Sequence, residues 1–336
     1  MAQQSADANR WGFVFEAGGV PAGWDTTSPA ALAQWRVHGW HSWVKSLHTV
    51  RAVFRHNNTI LFNEPSHFPY GDSPYCSQQR WAIEGAPELA PGAGQWRLRA
   101  DASGLARTIE VQTGGALNAS TQVAVPTVVT LLVLSSAHNV TLRDLRLAYT
   151  APACREGAPC DLDLASSTLP AVAVYNSQQL TVTNVTFAHL GGTGIQLDNS
   201  SNATIVGNTL VDLGGSGVCS QGLGAVITDN VVRGFGLRFP AAVGINLQDP
   251  SPSTLVAHNE LSHGYFNGLA GAVANDGCAY SNISFNYIHD NGHLDDTGIC
   301  DFGGLHFGCT GWVGCEWHCV CVCVCVCGGG GGGGGG

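Results

Sequence analysis

A short pattern recurring between residues 178 and 308 constrains this chain more than any other feature. Its copies are Thr204-Ile205-Val206-Gly207-Asn208-Thr209-Leu210, Val226-Ile227-Thr228-Asp229-Asn230-Val231-Val232, Leu255-Val256-Ala257-His258-Asn259-Glu260-Leu261 and Asn282-Ile283-Ser284-Phe285-Asn286-Tyr287-Ile288. The asparagines, Asn208, Asn230, Asn259 and Asn286, stand 22, 29 and 27 residues apart. An earlier copy, Thr181-Val182-Thr183-Asn184-Val185-Thr186-Phe187, carries Val185 in that place. A repeat of roughly 20 to 50 residues marks a solenoid or a related array. Each copy alternates apolar and polar residues and is rich in Val, Ile and Thr, so it reads as strand. Glycine-rich turns such as Leu213-Gly214-Gly215-Ser216-Gly217 follow, then second strands such as Gly194-Ile195-Gln196-Leu197 and Gly244-Ile245-Asn246-Leu247. No period holds an apolar helical stripe, which argues against leucine-rich and helical repeats. Short strands at a fixed period stack in parallel and wind into a β-helix, each coil bonded only to its neighbours. One Asn per coil, stacked at a bend, donates its amide to the next carbonyl and satisfies backbone groups the turn leaves open. The plainer reading, a turn-forming Asn, fits less well because each Asn sits within a strand-like run.

Composition agrees with a solenoid. A chain of 336 residues holds one large domain or two smaller ones. Apolar residues make up 44%, enough for a core, while charged residues are only 11% and glycines number 45. The net charge of −10 argues against a nucleic-acid groove. No apolar run reaches the length of about 18 residues that a membrane span needs. Met1 to Arg10 is polar and has no apolar core of a signal peptide. The rest of the chain nevertheless reads as extracellular or cell-wall protein. Asn-x-Ser/Thr triplets, the acceptors of N-glycosylation, begin at Asn57, Asn118, Asn139, Asn184, Asn199, Asn202 and Asn282. Cys154 and Cys160 bracket a short loop that a disulfide would close. The expectation is a secreted glycoprotein, monomeric, whose start is missing or mis-assigned.

Ahead of the coils lies a different region. Trp11, Trp24, Trp35, Trp40, Trp43, Trp81 and Trp96 crowd it, and Val50-Arg51-Ala52-Val53-Phe54 alternates as a strand before the turn His56-Asn57-Asn58. Aromatic residues stack on sugar faces in carbohydrate-acting proteins, but packing is the preferred role for these tryptophans.

Three stretches in this part of the chain carry a family resemblance. They are Arg80-Trp81-Ala82-Ile83-Glu84-Gly85, Pro91-Gly92-Ala93-Gly94-Gln95-Trp96-Arg97-Leu98 and Asn139-Val140-Thr141-Leu142-Arg143-Asp144-Leu145. Further on stand Tyr287-Ile288-His289-Asp290-Asn291-Gly292 and Asp301-Phe302-Gly303-Gly304-Leu305-His306-Phe307-Gly308. Together they resemble the right-handed parallel β-helix, pectin-lyase-like proteins, and among these the secreted β-helix glycoside hydrolases with their Ile-His-Asp and Asp-x-Gly-Gly motifs. The resemblance covers residues 40 to 308. It implies an all-β, right-handed parallel β-helix with an N-terminal β-rich region, acting on carbohydrate.

The candidate chemistry follows from coil geometry. Neighbouring strands lie about 4.8 Å apart, so equivalent side chains on adjacent or next-but-one coils stand about 5 or about 10 Å apart. Retaining glycosidases want two carboxyls about 5–5.5 Å apart and inverting ones about 6.5–9.5 Å. Asp301 is the first carboxylate, because it matches the Asp-x-Gly-Gly motif, and the glycines after it let a sugar approach the backbone. Asp198, Asp249 and Asp276 all stand ten residues before a ladder Asn and start turns. Turn aspartates are the plainer reading of Asp198 and Asp249, which leaves Asp276 as the partner of Asp301. Gln196, Asn246 and His306 hold matching places between apolar residues, so alternation points them outward. They would line a groove with partners for sugar hydroxyls, against the alternative of a solvated strand face. His289 and Asp290 would orient each other or Asp301, or His289 is a packed turn histidine. Asp295 and Asp296 offer hard oxygen ligands to Ca²⁺, with a solvated loop as the plainer reading, and no cofactor is expected. A pectate-lyase-like eliminase would need basic residues in the groove, and residues 170 to 308 hold only Arg233 and Arg238.

The end of the chain leaves the pattern. Cys319 to Cys327 alternates strictly with Val, and Gly328 to Gly336 is glycine throughout. The Cys-Val run reads as a translated TG repeat, lacks zinc-ligand spacing, and is expected to be disordered and unpacked. The expected division is an N-terminal segment 1–39, a β-rich region 40–135, the β-helix 136–308 and a tail 309–336. The function expected is hydrolysis of a polysaccharide by paired carboxylates in a β-helix groove. The alternative is an incomplete β-helix that binds glycans or serves structurally.

Overall fold

The computed structural model describes residues 9–21, 23–24, 27–32, 35–41, 44–70, 80–86, 92, 95–100, 107–113, 120, 122–154, 168–248, 250–272, 280–292, 303–308 and 325–327. The chain divides into two compact units, residues 1–41 with 46–125 and residues 42–45 with 126–336. The boundary at 125 falls before the expected one at 135.

The first unit is built on a five-stranded sheet in the order Gly12–Val14, Thr59–Phe62, Lys45–Phe54, Arg36–Trp40, Trp81–Glu84. Lys45–Phe54 alternates buried and more exposed residues for most of its length, as the sequence pattern requires, until a register shift between Val50 and Ala52. Trp96–Ala100 and Arg107–Val111 form a separate antiparallel hairpin. Trp24 and Trp35 are buried with ring centroids 4.4 Å apart, so packing is their role. Trp11 and Trp96 are exposed, and Trp43 lies outside the described residues. A buried polar knot joins His41, Ser46 and Tyr70. The Ser46 hydroxyl lies 2.9 Å from His41 Nε2 and 2.8 Å from the Tyr70 hydroxyl. All three residues are buried, so this Ser–His pair is satisfied core structure rather than an accessible nucleophile.

The second unit is a parallel β-helix with three sheets. The first sheet runs Thr141–Arg143, Thr181–Thr183, Thr204–Val206, Val226–Thr228, Leu255–Ala257, Asn282–Ser284. The second runs Arg146–Ala148, Thr186–Leu190, Thr209–Leu213, Val231–Arg233, Glu260–Ser262, Tyr287–His289. The third runs Leu132–Ser135, Pro170–Tyr175, Thr193–Asp198, Val218–Ser220, Ile245–Leu247, Leu269–Ala272, Leu305–Gly308. Every described pair within these sheets is parallel and in register, for example Ile205 opposite Ile227 and Ile227 opposite Val256. The inward residues of the three sheets, among them Ile205, Leu210, Ile195, Ile227, Val232 and Ile245, form one continuous core.

Each repeat copy proves to be two strands, not one. Thr204–Val206 and Thr209–Leu213 meet at a sharp corner made by Gly207 and Asn208. The residue before the ladder position is left-handed in every copy: Asn184, Gly207, Asp229, His258 and Phe285 have φ between 51° and 65°. The asparagines stack as expected. Asn208 N–H and Asn208 Nδ2 both donate to Asn230 Oδ1, at 3.0 and 2.9 Å. Asn230 and Asn259 repeat the arrangement towards Asn259 and Asn286. The second amide hydrogen of each goes to a backbone carbonyl, Val182, Ile205, Ile227 or Val256. A single buried side chain thus closes each corner and ties it to the next coil.

A glycine column runs up the start of the third sheet. A Cβ on Gly194, Gly217 or Gly244 would stand 2.5–2.6 Å from the carbonyl oxygen of the next glycine in the column. Only glycine permits that approach. The tail departs from expectation in one place: Cys325–Cys327 forms a parallel strand on Tyr287–His289. The rest of residues 309–336 lies outside the described residues.

Candidate functional site

The outward face of the third sheet carries one column. Register places Ala173, Gln196, Cys219, Asn246, Ala270 and His306 side by side on successive coils. Alternation brings Gln196, Asn246 and His306 together, as their sequence places predict. Their environment differs from expectation. Gln196 and Asn246 are each only 2% exposed, so they line neither an open groove nor a solvated face, while His306 is half-buried. Two residues further along the same face, Asp198 and Gln248 make a polar rim. Gln196 Nε2 donates to Asp198 Oδ1 at 2.6 Å and to Gln248 Oε1 at 2.8 Å. Sequence reasoning set Asp198 aside as a turn residue. The available signal was its spacing of two from Gln196, which puts both on one face of the strand. Cys219, buried between Gln196 and Asn246, takes part in no disulfide.

A second cluster lies on the second sheet. His289 Nδ1 is 2.8 Å from Asp290 Oδ2, and its Nε2 is 3.4 Å from Glu260 Oε1. Asp290 turns back on its neighbour because it is left-handed, with φ 52°. His289 therefore packs between two carboxylates, and Tyr287 stacks on it at 4.2 Å. The sequence paired His289 with Asp290 but missed Glu260, whose place opposite Tyr287 depends on strand register. The structure thus sets Gln196, Asn246 and His306 on one sheet and His289 and Asp290 on another.

Asp301, Asp276, Asp249, Asp295 and Asp296 lie outside the described residues, as does Cys160. Cys154 is disulfide-bonded. Among the described residues no three His, Cys, Asp or Glu side chains converge as a metal site, and no helix is long and apolar enough to cross a membrane. The described Asn-x-Ser/Thr asparagines, Asn57, Asn139, Asn184, Asn199, Asn202 and Asn282, are all exposed.

Known proteins resemble this chain at the level of architecture. A family model described as "Right handed beta helix region" matches residues 170–308. A solved structure described as "Glycoside hydrolase" superposes with a TM-score of 0.66 at 14% identity, over 90% of this chain and 63% of that one. This chain therefore spans somewhat under two thirds of that protein. No curated protein matches in sequence. The resemblance to right-handed β-helix proteins holds: residues 170–308 of this chain are a right-handed parallel β-helix.

Proposed function

We propose that the chain is a polysaccharide-active glycoside hydrolase working on the outer face of the third sheet, at its His306 end. One observation carries this reading. The strand Leu305–Gly308, which adds His306 to the outward column, directly follows the Asp301-Phe302-Gly303-Gly304 motif. Among the described residues a Cβ at Gly303 would find only Asn267 Oδ1, at 3.6 Å, which leaves room for a sugar ring beside the backbone there. Asp301 and Asp276 supply the two carboxyls, one held protonated and one ionised across the glycosidic bond. His306 contacts sugar hydroxyls, with Asn246 and Gln196 behind it bracing the face. The partner is a polysaccharide or oligosaccharide, and no metal or other cofactor takes part. The protein acts as a monomer outside the cell, in keeping with its exposed glycosylation triplets.

The register favours a second reading, a β-helix that binds glycans without turnover. Leu269 pairs with Leu305. Asp276 follows the end of Leu269–Ala272, whereas Asp301 precedes the start of Leu305–Gly308. The two acids thus lead from opposite ends of neighbouring parallel strands. The strand ends they lead from, Ala272 and Leu305, are three residues apart in register, about 10 Å along the strand, at the roughly 9.5 Å limit of an inverting pair. A pair forms only if the intervening segments bring both carboxyls over one face.

Turnover of a panel of aryl glycosides and neutral polysaccharides by the purified chain decides between the readings. Asp301→Asn is expected to lower kcat by about 10²–10⁴-fold. Activity surviving Asp301→Asn means another acid does the work. No turnover in either protein, with oligosaccharide binding retained, selects the second reading.

A further inference from the structure

We propose that the outer face of the second sheet, at Phe285 and Tyr287, is a separate docking platform for a neutral glycan chain. The inference rests on the reading that this protein engages carbohydrate, but it concerns a different sheet from the proposed hydrolytic face. Strand alternation buries Leu261 and Ile288 and turns Glu260, Tyr287 and His289 outward. The left-handed corner adds Phe285 and, one coil earlier, His258. Phe285 remains 62% exposed and Tyr287 44%, so two large apolar rings face solvent within three residues.

Both rings are held in place. His258 stacks on Phe285 with centroids 5.1 Å apart and planes 6° apart, and His289 stacks on Tyr287 at 4.2 Å and 23°. His289 is itself braced between Glu260 and Asp290. A ring fixed before binding loses little conformational freedom on contact. Flat apolar rings flanked by half-exposed carboxylates match one class of ligand: the C–H face of a sugar lies on the ring, and its hydroxyls donate to Glu260 and Asp290. The same two carboxylates repel a polyuronate, which selects a neutral chain.

The test is electrophoretic retardation of the full chain by a soluble mixed-linkage β-glucan, with polygalacturonate as the charged control. Retardation by the glucan alone is expected. The Phe285→Ala/Tyr287→Ala double variant should bind about tenfold more weakly, with its thermal midpoint kept, while Tyr287→Phe retains binding. Asp301→Asn should be retarded as the unaltered protein is, whatever its turnover. No retardation of the unaltered protein, equal retardation of the double variant, or loss of binding in Asp301→Asn overturns the platform. So does a dimer of the unaltered protein that the double variant dissolves, because the rings then bind a second copy. Turnover lost in Asp301→Asn bears only on the hydrolase reading, so the two proposals fail separately.

Discussion

Asn230 illustrates how much one side chain carries in this architecture. Its Oδ1 accepts from the backbone and the side chain of Asn208, and its amide donates to Ile205 and Asn259. All of these groups are out of reach of water, since Asn208, Asn230 and Asn259 are each buried. Asn230→Ala would strand two donors and one carbonyl. At about 1–3 kcal/mol for each buried unsatisfied group, the loss is expected to be roughly 3 kcal/mol or more. Asn230→Asp should cost at least as much, because it sets a carboxylate against the Ile205 and Asn259 oxygens. Urea unfolding checks both, read as a lower midpoint at unchanged m-value. A loss below about 1 kcal/mol would mean that water replaces the ladder.

At the scale of the element, two glycines with similar sequence contexts do opposite things. Gly207 occupies the left-handed corner with φ 65°, and nothing lies within 4 Å of a Cβ built there. Its constraint is conformational. Asn184 holds the equivalent corner one coil earlier at φ 51°, so Gly207→Asn is expected to be nearly neutral and Gly207→Ala to cost about 1 kcal/mol. Gly244 has no such φ. Its Cβ would lie 2.5 Å from the Gly268 oxygen and 3.3 Å from the Phe235 ring. Backbone and a buried ring cannot both give way, so Gly244→Ala should cost about 3 kcal/mol or more. Thermal or urea melts of the three variants test the contrast, and equal losses at 207 and 244 would contradict it.

For the whole molecule, a coil that touches only its neighbours makes stability a local quantity. The central coils have a fully buried interior, with Ile205, Ile227 and Val256 at the core. The strands of the first coil, Leu132–Ser135, Thr141–Arg143 and Arg146–Ala148, are end members of the three sheets among the described residues, and Leu132 and Leu134 are no more than partly buried. Hydrogen exchange should therefore be slowest in Thr204–Val206 and Val226–Thr228 and at least about 100-fold faster in Leu132–Ser135. Uniform protection along the sheets would instead indicate that the β-helix opens as a single unit.

The sequence by itself determined the repeat, the winding of parallel strands into a coil and the Asn column. Those follow from local rules: β-branched residues at alternate places, a turn after each run, and one amide per coil that has nowhere else to satisfy its hydrogen bonds. It also put Gln196, Asn246 and His306 on one face, since period-two alternation fixes the side of a strand. Only the tertiary structure decided where each strand breaks, because the left-handed corner accepts Asp229, His258 or Phe285 as readily as glycine and so leaves no consistent letter. Register with the next coil made Gly244 indispensable and set Glu260 beside His289, and neither is visible from one strand alone. Alternation separates the inside of a coil from its outside, but it carries no information about what lies over the outside. That is why Gln196 and Asn246 read as groove residues and fold as buried ones.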